Sequence, residues 1–105
     1  MANEKNTASE ADERVYTLSR PFDFEGETIT ELTLDFGRLV GDDLLKVDKI
    51  IAGDSSAQSF VKALSMPYQL HIAALAANKP YEIFAKMPAK DVSKIALRAQ
   101  SFLLG

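Results

Sequence analysis

The chain has 105 residues, enough for one domain with one modest core. A composition of 47% hydrophobic and 26% charged residues predicts a folded globular chain, and the net charge of −3 counts against a general nucleic-acid binder, which needs surplus Lys and Arg to displace counterions. The absence of cysteine excludes disulfides, thiolate nucleophiles and cysteine metal sites.

Residues Met1 to Glu13 are polar and acidic, with no large apolar side chain beyond the initiator. Such a segment cannot bury enough surface to offset its ordering entropy, so residues 1–13 are expected to be a disordered tail, without the apolar core of a secretion signal. A single domain is expected over residues 14–105, with a hairpin over 14–36 and helices over 42–104. Val15 to Ser19 alternates in the manner of a strand, and Arg20-Pro21 predicts an edge, a bulge or a strand end. Phe22 and Phe24 then alternate with Asp23 and Glu25, and Gly26 supplies the positive φ of a tight turn. The return strand is expected from Thr28 to Phe36, with Leu32, Leu34 and Phe36 on one face. Ile29 falls off that alternation, which predicts a bulge near the turn or apolar contact on the other face.

Beyond Gly37 and Gly41 the period changes to helical. Asp42 or Asp43 is the expected N-cap, and Leu44, Val47 and Ile51 form a stripe, widened by Leu45 and Ile50, that Gly53 ends. A second helix is expected after Asp54, Ser55 and Ser56, with Ala57, Phe60, Val61 and Leu64 buried and Met66-Pro67 as its break. Tyr68 to Ala77 is apolar on every side, which predicts a central or interface-buried helix. One or two turns follow over Tyr81–Met87. The last helix is expected over Ala89–Leu104, with Val92, Ile95, Ala96, Ala99, Phe102 and Leu103 as its stripe. The fold class is therefore α+β, a β-hairpin followed by four to five helices. No apolar run approaches the roughly 18 residues of a membrane span.

No recognised catalytic pattern appears. The single histidine, His71, lies among apolar neighbours and reads as a packed side chain. Asp42, Asp43 and Asp48 read as a cap and a solvated helix face, and Ser55, Ser56 and Ser65 have no activating base beside them. No phosphate-binding glycine loop or HExxH stands anywhere. Lys90, Lys94 and Arg98 form a basic row that reads as a wet face or as a seat for an anionic partner. Neither catalytic nor metal-binding nor cofactor-binding residues are expected. The chain is instead rich in large apolar side chains for its size. Phe22, Phe24, Tyr81, Phe84, Met87 and Phe102 are the candidates for a partner-binding patch.

The run LSRPFDFEGETITELTLDFGRLVGDDLLKVD resembles the N-terminal signature of phage tail assembly chaperones from Mu-like and related contractile-tailed phages and prophages. Leu18, Arg20, Pro21 and Phe22, then Gly26, then Glu31, Leu32 and Leu34, then Gly41, Asp43 and Leu44 carry the resemblance, over about thirty residues. It implies a non-enzymatic protein that binds the long helical tape measure protein and keeps it soluble while tail tube subunits polymerise around it. It also implies contact with the tail tube protein, assembly of several copies, and residence in the bacterial cytoplasm without retention in the mature virion. The competing readings are a structural tail or baseplate component, and a small nucleic-acid-binding regulator that uses Lys90, Lys94 and Arg98.

Overall fold

Two successive residues with positive φ, Glu25 (51°) and Gly26 (80°), reverse the chain between β1 (Val15–Phe24) and β2 (Glu27–Thr33). This is the geometry of a type I′ hairpin turn, whose twist matches that of the flanking strands. The computed structural model describes residues 12–52 and 65–105. Among them the order is hairpin, α1 (Gly41–Ala52), α2 (Met66–Ala77), the single turn α3 (Ile83–Lys86) and α4 (Ala89–Leu104). The fold is α+β, as the periodicity predicts. The expected second helix, over residues 54–64, and Gly53 lie outside the described residues, as does the expected tail up to residue 11. Residues 12–13, expected to belong to that tail, form a short 3-10 turn with Arg14.

The hairpin is antiparallel, but its ladder is broken. Val15, Tyr16 and Thr17 pair with Thr33, Leu32 and Glu31, while Phe22, Asp23 and Phe24 pair with Ile29, Thr28 and Glu27. Leu18 to Pro21 therefore stand opposite Thr30 alone. Pro21 does not end the strand; it sits at this irregularity, where no ladder bond needs its missing N–H. Because the register shift is odd, the inward face changes parity along β2. Thr30 and Glu31 are both exposed, and Ile29 and Leu32 are both buried. A bulge thus accounts for Ile29, and the extra residues are on the first strand.

The return strand is shorter than expected. It stops at Thr33, which pairs with Val15, the first residue of β1. The Leu34 N–H donates to the Arg14 carbonyl at 2.6 Å, and the Asp35 N–H passes to the Ala76 carbonyl of α2 at 3.1 Å. Phe36 leaves the sheet for a 3-10 turn, Phe36–Arg38. Helix α1 begins at Gly41, so neither aspartate is its N-cap. Asp43 instead reaches back, its carboxylate accepting from the Val40 N–H at 2.8 Å, which is half of a capping box. Met66-Pro67 opens α2, which begins two residues before the expected Tyr68; whether the pair also closes the helix expected before it lies outside the described residues. Proline is tolerated in a first turn, where its missing N–H has no partner to lose.

Helix α2 is the centre, as its all-round apolar character predicts. Its Leu70, Ala73 and Ala74 join the hairpin, α3 and α4 in one core, with Tyr16, Leu18, Leu32, Ile83 and Ile95. Its Tyr68 and Ile72 join Val47 and Ile51 of α1 in a second. The C-terminus of α2 is capped at the carbonyls of Ala74, Leu75 and Ala76. Asn78 adopts the left-handed conformation, and the N–H groups of Asn78 and Lys79 donate to the carbonyls of Leu75 and Ala74 at 3.1 and 3.0 Å, a Schellman arrangement. The Arg38 guanidinium donates to the Leu75 and Ala76 carbonyls and places a cation at the negative end of the helix dipole. These bonds hold the β2–α1 connection against α2.

The turn gives a direct test. A glutamate at positive φ costs about 1 kcal/mol, whereas Asn-Gly is the preferred type I′ pair. Glu25→Asn is expected to raise the unfolding free energy by about 0.5–1 kcal/mol in urea titration. No neighbour would obstruct a Cβ at Gly26. Gly26→Ala should therefore lose about 1 kcal/mol, for its φ alone.

Candidate functional site

The six apolar residues singled out from the sequence do not form one patch. Phe84 and Met87 are buried in the main core and face no solvent, because α3 tucks under the hairpin. Phe22 and Phe24 are half-buried against that core. Tyr81 is half-buried and stacks on His71, with ring centroids 3.7 Å apart and an interplanar angle of 4°. His71 is thus a packed ring, and burial lowers its pKa against the opposing influence of Glu82. Phe102 alone of the six is exposed, at 39%, and its ring stacks on Phe36 at 5.2 Å.

The Phe36–Phe102 stack stands beside an open groove of about 610 Å³. Leu34, Phe36 and Gly37 form one wall, and Leu97, Arg98 and Ser101 of α4 form the other. Glu13, Arg14 and Asp35 close one end, with Arg14 and Asp35 paired at 3.4 Å. Leu97 is 59% exposed although apolar. Sequence reasoning passed over it, yet the signal was present: Leu97 and Leu104 fall seven residues apart and off the main stripe of the helix, so both must face outward. Phe36 was misplaced on the strand, and nothing local announces that it turns toward Phe102.

Asp23, Glu25, Glu27 and Glu31, all exposed, outnumber the exposed Arg20 and make the hairpin acidic. Lys90, Lys94 and Arg98 run along exposed α4, and none of them makes an ion pair among the described residues. Arg98 also lies over the Tyr16 ring, 5.1 Å from its centroid.

A second polar constellation is buried. Asp91, in the first turn of α4, is completely enclosed. Its carboxylate accepts from the Tyr16 hydroxyl at 2.7 Å, from the Ser19 hydroxyl at 2.8 Å and from the Ser19 backbone N–H at 3.0 Å. Burial pushes the Asp91 pKa up, but the bonds from Tyr16 and Ser19, with Lys94 nearby, outweigh it, and the group lies below the ordinary value. Burial and the same carboxylate push Tyr16 up to about 12. The arrangement holds β1 to α4, with both carboxylate oxygens of Asp91 hydrogen-bonded. Among the described residues no group of three or more His, Asp or Glu is placed to hold a metal ion, and no helix is long and apolar enough to cross a membrane.

No family model, curated protein or solved structure matches this chain.

Two measurements test the buried constellation. Asp91→Ala removes the acceptor of three hydrogen bonds and leaves the buried Tyr16 hydroxyl without its partner, and should cost about 3 kcal/mol in urea titration. The pH dependence follows from the shifts. The stabilisation from Asp91 is complete above its unfolded value of 3.8 and is lost as pH falls through its lower folded pKa. That from Tyr16 is complete below 10.0 and is lost as pH rises toward about 12. Tyr16→Phe should flatten the alkaline decline in melting temperature relative to the unsubstituted chain.

Proposed function

We propose that this chain is a phage or prophage tail assembly chaperone, a non-enzymatic holding protein for the tape measure protein. The ordered series from Leu18 to Leu44 carries the proposal. Its supporting physical feature is apolar surface left unspent by the fold. Val40, Leu45, Ile50, Leu97 and Leu104 are each more than half exposed. A holding protein needs such area to cover an apolar helix, with net charge to keep the complex in solution. The chain's −3 supplies that charge. Several copies acting together, within the bacterial cytoplasm, complete the reading, and contact with tail tube subunits follows from it.

The test is co-expression with a tape measure segment that is insoluble alone. A soluble complex that survives size-exclusion chromatography is expected. Failure to keep the segment in solution would sink the proposal. Mass spectrometry of purified particles should find the protein absent, whereas a structural tail or baseplate component would be retained.

A further inference from the structure

We infer that the outer face of α4, together with the groove beside it, is a docking surface for an acidic amphipathic helix of another protein. The inference rests on the holding-protein reading and specifies where and what it holds. Two independent observations converge on one helix face. At 100° per residue, Lys90, Lys94, Leu97, Arg98 and Ser101 fall within a single stripe, opposite the buried Ile95, Ala96 and Ala99. Leu104 continues the stripe toward the C-terminus.

The first observation is apolar. Leu97 is exposed inside a groove whose facing wall is Phe36, so an aliphatic side chain entering there would be enclosed on two sides. The second is electrostatic. Lys90, Lys94 and Arg98 step along α4 at about 6 Å per interval, the spacing of carboxylates four apart on a partner helix. Lys90 occupies the first turn of α4, where the helix dipole disfavours a cation. A partner carboxylate would offset that penalty as well as meet the charge.

A helix laid along this face would set aliphatic side chains against Leu97, Phe36 and Leu104, and carboxylates against Lys94 and Lys90. Arg98 belongs to both parts, since it lines the groove and continues the cationic row. A nucleic acid or an anionic membrane would use the cations but not the aliphatic groove.

The test uses the full chain and two stapled helical peptides. One carries leucines on one face flanked by a row of glutamates; its sister has lysine at every glutamate. In 15N-labelled protein the glutamate peptide should shift the amides of Phe36, Gly37, Leu97, Arg98 and Ser101. It should bind at least about tenfold tighter than the lysine peptide. Leu97→Asp and Lys90→Glu alter exposed side chains outside the Asp91 constellation. Each should weaken the glutamate peptide by about tenfold while leaving the circular dichroism unchanged, and Lys90→Glu, which removes the cation from the helix N-terminus, should raise the melting temperature slightly.

Shifts elsewhere, equal binding of both peptides, or no peptide binding would overturn the inference. So would DNA or phosphatidylglycerol vesicles that displace the peptide and ignore Leu97→Asp, or shifts at these amides that appear with protein concentration alone. If both variants still hold a tape measure segment as tightly as the unsubstituted chain, the docking surface is wrong and the holding function stands. If the peptide docks as described but no tape measure segment is held, the surface stands and its assignment to tail assembly falls.

Discussion

One carboxylate joins the two halves of this structure. Asp91 is removed from water by 72 and 75 residues of chain separation closing on it from Ser19 and Tyr16. Burying a carboxylate is costly, and it is tolerated here because three donors reach its two oxygens and the N-terminus of α4 adds a favourable dipole. The break in the hairpin ladder belongs to the same constraint. An N–H paired across a regular ladder could not point at a helix. Ser19 lies within the four residues that stand outside the ladder, and its N–H turns to Asp91 instead. The bulge in β1 and the buried acid in α4 are two ends of one interaction.

The consequence is a rigid angle between hairpin and helix. A two-stranded hairpin is marginal alone and needs one face covered. Helices α2, α3 and α4 cover it through Leu70, Ile83 and Ile95, and the Asp91 bonds specify orientation where apolar packing by itself is permissive. Arg38 does the equivalent work on the other side, tying the β2–α1 connection to the end of α2. With both ties in place, Phe36 has one place to go. It stacks on Phe102 and becomes the wall of the groove that faces Leu97. The proposed docking face is thus a by-product of how the hairpin is fastened.

The same geometry explains why the partner-binding residues expected from large apolar side chains are a mixed set. Large side chains are what a small core uses first, and Phe84 and Met87 went there. The side chains left for solvent are mostly aliphatic: Leu97, and also Leu45 and Ile50, which do not widen the buried stripe of α1 as expected, because only its Val47 and Ile51 face α2. Size and aromaticity marked the core more than the surface.

Local pattern was sufficient for the α+β class, the turn at Gly26, the central place of α2 and the full extent of α4. Each follows from a period of 2 or 3.6, a capping residue or a proline, which act within a few residues. Tertiary structure alone decided where β2 stops, that Met66-Pro67 starts a helix, that Asp91 is buried, and that Phe36 meets Phe102 and Leu97. Those outcomes depend on which distant group supplies a hydrogen-bond partner or an apolar neighbour. The Asp35 N–H finds Ala76, and Tyr16 finds Asp91. A carboxylate reads the same in the chain whether it will meet water or three donors, because its desolvation is settled by residues that approach only when the chain has folded.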